Sequence, residues 1–209
     1  MSKVVFKSFS YYLIIISILF TSGCATLNSW MGADEKVDGG ASNFFETYKK
    51  ERPDTVAADL GSVSGNQITA GIAGIYGKSI ELAENYLTQL ENHKVASVLE
   101  GIRHELGQEA YEKAYNELGA EDRAEYDTFM RHNVDFLAVA IGYAEEAAKL
   151  SIGIIQFDVK EYTSNPMAII TALQGLSKAT DQIQYTITTF DLLIETRSVY
   201  QAMLEGTGK

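Results

Sequence analysis

The side chains best suited to catalysis or metal binding are three histidines, His93, His104 and His132. A di-iron or di-manganese site in a helical bundle needs a glutamate three residues before a histidine on two helices. None of the three histidines has one, so we expect no such site. Glu100 and His104 are four residues apart and could share a helix face, but an exposed pair is the commoner explanation. We therefore expect no metal and no other cofactor.

A second candidate is the triplet Gly71, Gly74 and Gly77. It does not match the dinucleotide-binding fingerprint, because it lies in a helical pattern with no strand before it. Each glycine inside a helix costs about 1 kcal/mol relative to alanine, so the triplet needs compensation. Close packing against another helix would supply it. A membrane-inserting or oligomerising face is the alternative, which the charges that begin at Lys78 disfavour.

Tyr111 and Tyr115 lie one helical turn apart and could stack on a sugar or peptide of a cell wall, although tyrosines at this spacing are usually half-buried core. Acidic residues crowd the same part of the chain: Glu105, Glu109, Glu112, Glu117, Glu121, Asp122, Glu125 and Asp127. We interpret them as a solvated face, with a divalent-cation or basic-partner site as the alternative. The sequence contains no Gly-x-Ser-x-Gly, Walker or His-Glu-x-x-His motif. We therefore predict a protein that is not an enzyme.

The charge balance excludes one class of partner. The chain has 17 basic and 28 acidic residues, a net charge of -11, and removal of Lys3 and Lys7 with a signal segment would make it -13. Nucleic-acid binding requires a basic face that displaces counterions from phosphates. The sequence shows no such face, so we expect no nucleic-acid partner. The same charge weakens direct adhesion to anionic lipid head groups.

The N-terminal segment has the order of an export signal. Lys3 and Lys7 precede the apolar run 12–20, and Thr21-Ser22-Gly23-Cys24 follows. The run is much shorter than the roughly 20 residues that a transmembrane helix needs. Cys24 is the only cysteine, so it has no internal disulfide partner.

Thr21-Ser22-Gly23-Cys24 resembles the lipobox of bacterial lipoproteins, although Thr21 stands where the family usually has leucine. The resemblance implies that Cys24 is lipidated and becomes the mature N-terminus. Ala25 is not the aspartate that marks inner-membrane retention, so the resemblance implies the outer membrane. The alternative is an ordinary signal peptide cut after Ala25, since Gly23 and Ala25 are both small.

The sequence predicts three parts: a signal peptide over 1–23, a flexible tether over 24–66 and one helical domain over 67–209. Within the tether, short helices are possible over Asn43–Glu51 and over Pro53–Leu60, where proline in the first turn and Gly61 after the end suit a helix. The aromatic pair Phe44 and Phe45 could bind a partner or fold back onto the domain.

The domain is predicted to be all-α. A long helix is predicted over 67–94, followed by two short ones ended by Gly107 and Gly119. From Glu121, an antiparallel hairpin of two arms, each about 40 residues or 60 Å long, meets at Ser164-Asn165-Pro166. The second arm carries an apolar seam at steps of three and four that could bind another helix: Ile169, Leu173, Leu176, Ile183, Ile187, Phe190 and Ile194. We expect an elongated helical bundle.

These observations favour a non-enzymatic envelope protein that is held to a membrane by lipid and contacts another envelope protein or copies of itself. A second hypothesis is a carrier or sensor for an apolar ligand, because small residues that could leave a pocket recur between Ala138 and Gly153. A third is a membrane-active helical protein, which Glu145, Glu146 and Lys149 disfavour because charges are costly in lipid.

Overall fold

The computed structural model describes residues 52–161 and 164–207, and this part of the chain contains helices and no strand. The prediction of an all-α fold is confirmed. The six α-helices, which we number along the chain, are α1 (Val63–Glu91), α2 (Lys94–Leu106), α3 (Gln108–Glu117), α4 (Ala120–Phe136), α5 (Val139–Gln156) and α6 (Pro166–Thr207). A short 3-10 turn over Val159–Glu161 joins α5 to α6.

Helices α1, α5 and α6 form the body of the bundle. α1 and α6 run parallel: the Tyr76 ring meets that of Tyr185, and the Tyr86 hydroxyl meets that of Tyr200. α5 runs antiparallel to both, because it joins α6 through a short turn and because Gly153 lies against Ile68 on α1. The buried side chains of these helices meet along one continuous core.

The predicted C-terminal hairpin is present, with one broken arm. The second arm is the single helix α6 of 42 residues, about 63 Å long. The first arm is divided into α4 and α5 at Leu137 and Ala138, where the amides of Ala138 and Ala140 bond to carbonyls three residues back. Bonds of that kind tighten a helix into a turn. Both halves pack on α6, which makes the bundle long and narrow.

The prediction of a helix over Pro53–Leu60 is wrong, because this segment has no helical turn and lies extended on α1 and α6. Its carbonyl groups accept hydrogen bonds from side chains of those helices. The Tyr76 hydroxyl donates to Pro53 O at 2.6 Å, the Thr69 hydroxyl to Ala58 O at 2.6 Å, and the Gln182 amide to Asp54 O. Tertiary bonds replace the local ones here, which the local pattern could not reveal. The other predicted short helix, 43–51, lies outside the described residues.

Helix boundaries agree with the predictions to within a few residues. α1 begins at Val63 rather than 67, because the Ser62 hydroxyl caps it by accepting from the Gly65 amide at 3.0 Å. Gly107 separates α2 from α3 with φ of +86°, a backbone conformation that glycine adopts without strain. The prediction that Gly119 ends a helix in the left-handed conformation is wrong, because the φ angle of Gly119 is -60°.

Candidate functional site

The least expected feature of the bundle is a buried ion pair on α2. Glu100 is fully buried and Arg103 is 8% exposed. The Arg103 guanidinium donates from Nε to Glu100 Oε2 at 2.8 Å, and a second nitrogen lies 2.7 Å from the same oxygen. The guanidinium also donates to the Thr196 hydroxyl on α6 at 2.9 Å. A buried charge pair of this kind is tolerated only when its polar atoms are satisfied.

Tyrosines from four helices surround this pair. The Tyr126 hydroxyl on α4 donates to Glu100 Oε1 at 3.1 Å and is 2.9 Å from the Tyr111 hydroxyl on α3. Nearby, the hydroxyls of Tyr86 on α1 and Tyr200 on α6 are 2.8 Å apart and fully buried. We call Glu100, Arg103 and these tyrosines the polar network. It ties five helices together, since its members come from α1, α2, α3, α4 and α6.

Burial sets the ionisation behaviour of the network. It raises the pKa values of Tyr86, Tyr126 and Tyr200 well above the ordinary value, and the negative charge of Glu100 adds to the effect. Burial lowers the pKa of Arg103, but the Glu100 carboxylate, together with Tyr86 and Tyr200, outweighs burial and the net shift is upward. The tyrosines therefore stay neutral and Arg103 stays charged at physiological pH.

His104 borders the network and has a strongly perturbed pKa. Burial and then the charge of Arg103 lower it to about 4, so the imidazole is neutral near pH 7. Its Nε2 lies 3.8 Å from Glu100 Oε2. The interpretation of Glu100 and His104 as an exposed helix pair is wrong, because Glu100 is fully buried and the His104 side chain is 12% exposed.

The other candidate functional residues from the sequence are core, capping or exposed surface residues. Tyr111 and Tyr115 are buried, so they are core residues and not a stacking platform on the surface. His93 caps α2, where its Nδ1 accepts from the Ala96 amide at 3.2 Å. His132 is exposed. Of the eight crowded acidic residues, all are exposed except Asp127, which accepts from the Tyr115 hydroxyl at 2.7 Å. Among the described residues, no group of three or more His, Cys, Asp or Glu side chains is arranged to hold a metal ion.

The three glycines of α1 have different surroundings. A Cβ on Gly71 would lie 2.9 Å from a methyl group of Leu150 on α5, so this glycine serves close helix packing as predicted. Gly74 and Gly77 are exposed, and a Cβ on either would meet nothing within 4 Å. Packing within the described part of the chain therefore explains only Gly71.

The predicted seam on α6 mostly faces the protein's own core. Ile183 and Phe190 are buried, and Leu176, Ile187 and Ile194 pack against the same core. Ile169 is half-buried, and Leu173 is the one exposed residue of the seam. The seam is chiefly an intramolecular contact, and only its first turns reach the surface.

Those first turns belong to a larger apolar surface at one end of the bundle. Leu60 and Phe157 both lie against Gly65, and Leu60 also lies against Gly175, so the start of α1, the end of α5 and the beginning of α6 meet there. Six large apolar side chains on these three helix segments are about half exposed or more. We call these six residues the apolar end: Val63, Ile152, Ile155, Met167, Ile170 and Leu173.

Charge is absent from the sequence around the apolar end. No Asp, Glu, Lys or Arg occurs in 61–77, in 150–157 or in 164–177, three segments that are far apart in the chain. In the sequence, the charged residues that border these segments are Asp59, Lys78, Lys149, Asp158, Lys160, Glu161 and Lys178. The sequence shows the three charge-free stretches. It does not show that they meet, because their positions in space are known only from the fold.

None of the described helices is both long and apolar enough to cross a membrane. Cys24, the signal segment and the predicted tether up to residue 51 lie outside the described residues. By its fold, the described part is an elongated all-α bundle. No family model matches the chain, and searches of characterised proteins and of solved structures return no significant match.

Proposed function

We propose that the protein is a non-enzymatic, lipid-anchored component of a bacterial envelope that acts through contacts made by its apolar end. It is exported by residues 1–23, carries acyl chains on Cys24 and faces the periplasm or the surface from the outer membrane. The observation that carries the proposal is the apolar end itself: six large, exposed apolar side chains on three helix segments that meet at one end of an acidic bundle. Exposed apolar surface concentrated in this way marks an interaction site.

The arrangement of the ionisable groups supports a role without catalysis. Glu100 and Arg103, the buried charged pair, bond to each other and to neighbouring hydroxyls inside the bundle. Their nearly complete burial keeps them from contact with a substrate. Their role is to join helices.

The structure gives less support to a carrier of apolar ligands. Among the small residues of α5, Ala140 and Ala147 are buried in the core, Gly153 lies against Ile68, and Gly142 and Ala148 are exposed. These residues point to different surroundings and do not line one common space. Helix contact explains the buried ones.

Two measurements test the proposal. Radiolabelled palmitate should appear on the wild-type protein and not on Cys24→Ser, and Cys24→Ser should leave the membrane fraction at least in part. A photo-crosslinking residue at Leu173 should form adducts in intact cells, whereas one at Val98, an exposed position on α2, should form far fewer. Absence of label on Cys24 removes the anchor, and equal adducts from the two positions remove the interacting end.

A further inference from the structure

We propose that the apolar end contacts the lipid bilayer directly, so that the bundle stands on the membrane by this end. The inference rests on the proposed function, because it names the partner of the same surface. It differs from anchoring through Cys24, since the contact would come from side chains of the folded domain.

The first argument is the source of the apolar residues. A helix that docks into a partner's groove presents its anchors along one element at helical spacing. Here the exposed residues come from three helices that end or begin at the same place, and α6 extends about 14 Å beyond Gly175, the residue that touches Leu60. The surface is a projecting end rather than a groove. A projecting end with apolar side chains on each of its helices suits insertion into the boundary between head groups and acyl chains, roughly 5–10 Å deep.

The second argument is the distribution of charge. The protein has a net charge of -11, and the acidic residues of α3 and α4 are exposed. An anionic membrane surface repels them. The apolar end, by contrast, contains no charged residue, although Asp59, Asp158, Lys160 and Glu161 lie beside its segments in the sequence. Of the surfaces described, it is therefore the one that approaches lipid at the least electrostatic cost.

The third argument is reach. Arg52, the first described residue, bonds to Glu84 at 2.7 Å, and Glu84 lies about 32 Å along α1 from Val63. The chain between Cys24 and Arg52 can span up to about 100 Å at 3.6 Å per residue. A lipid on Cys24 and the apolar end can therefore lie in the same membrane surface at once. Each contact then raises the effective concentration of the other, so the two together hold the protein more firmly than either alone.

Fluorescence quenching tests the contact in the intact protein. Trp30 is the only tryptophan, so a Trp30→Phe background allows one reporter to be placed at will. The full-length product exported by cells is purified and reconstituted with vesicles of brominated phosphatidylcholine. We expect the Ile170→Trp reporter to be blue-shifted and strongly quenched by bromine, and a Val98→Trp reporter to be unaffected. A vesicle-associated protein in which the two reporters respond alike overturns the inference while leaving the anchor intact.

Binding without the anchor provides the second test. Cys24→Ser protein is exported, purified and sedimented with phosphatidylcholine vesicles. We expect measurable binding that Ile170→Ser with Leu173→Ser weakens at least about tenfold, because these side chains lose apolar burial. The matched control is Val98→Ser with Leu106→Ser, two exposed apolar residues of α2, which should bind as before.

The lipid composition separates insertion from charge attraction. Adding phosphatidylglycerol should leave binding unchanged or weaken it at low salt, because the protein is acidic. If the Cys24→Ser protein stays in solution at every lipid concentration, or if the serine variants at the apolar end bind as tightly as their parent, the apolar end does not contact lipid and a protein partner is the remaining occupant.

Discussion

The two ends of the bundle treat polar groups in opposite ways. Near the C-terminal half of α6, the polar network buries a carboxylate, a guanidinium and several hydroxyls, and the surrounding surface is acidic. At the other end, the segments 61–77, 150–157 and 164–177 contain no charged residue and large apolar side chains are exposed. Buried polar groups and exposed apolar groups are both costly, so neither arrangement is explained by simple burial of apolar surface. We infer that the first end specifies the fold and the second makes contact.

The largest effect is expected from breaking the ion pair. Glu100→Gln should cost about 3–5 kcal/mol in the free energy of unfolding, because it leaves Arg103 buried and charged without its partner. Urea denaturation followed by circular dichroism measures the loss. Replacing both residues, as in Glu100→Leu with Arg103→Met, should cost far less than the sum of the single changes. The control is Glu105→Gln on the exposed side of α2. A loss below about 1 kcal/mol for Glu100→Gln would mean that the pair does not support the fold.

The next effect concerns pH. The folded-state pKa of His104 is about 4, which lies below the value of 6.5 for a free histidine. Protons therefore bind the unfolded chain more readily, and stability that is complete above about pH 6.5 declines as pH falls towards 4. The contribution amounts to as much as about 3 kcal/mol. Unfolding measured from pH 7 to pH 4 should show a steeper decline for wild type than for His104→Asn. Parallel curves for the two proteins would remove His104 from the account.

A moderate effect should come from the paired tyrosines. Tyr86→Phe leaves the buried Tyr200 hydroxyl without the partner that it has at 2.8 Å, at a cost of about 1–3 kcal/mol. Tyr86→Phe combined with Tyr200→Phe removes both hydroxyls, so the double variant should lose less than the two single losses together. A double-mutant cycle of unfolding free energies measures the coupling. Additive losses would show that the two hydroxyls do not depend on each other.

Two glycine substitutions should give the smallest changes in stability, and the two changes should have opposite signs. Gly74→Ala adds a Cβ into open space and should stabilise α1 by up to about 1 kcal/mol. Gly175→Ala places a Cβ 2.9 Å from the Asp59 carbonyl oxygen and should destabilise the protein, because the extended segment must move. Thermal unfolding of both variants distinguishes them. Destabilisation by Gly74→Ala would indicate that this exposed glycine is covered by another copy or partner.

The sequence predicted the helices well because their signals are local. The steps of three and four along α6 and the proline at its start predict most of the hairpin, and Gly107 marks the boundary between α2 and α3. The polar network was missed because its members lie far apart: Tyr86, Glu100, Tyr126 and Tyr200 meet only after folding. A glutamate on a helix with an arginine three residues later normally indicates a solvated pair.

Two further misses have the same physical origin. The extended segment 53–60 follows side-chain donors on α1 and α6, which its own residues do not reveal. The seam on α6 was correctly placed on one helix face, but spacing alone cannot tell a partner's helix from the protein's own. α1, α4 and α5 occupy most of it.

The most direct test uses the fact that Cys24 is the only cysteine. If Cys24 is acylated, a cysteine introduced elsewhere is the sole free thiol, and its reaction with a membrane-impermeant maleimide reports access to water. In isolated membranes, Leu173→Cys should label poorly until detergent is added, whereas Val98→Cys should label fully in both conditions. Equal labelling of the two positions before detergent would contradict the division of the bundle into an end that holds the fold and an end that meets the membrane.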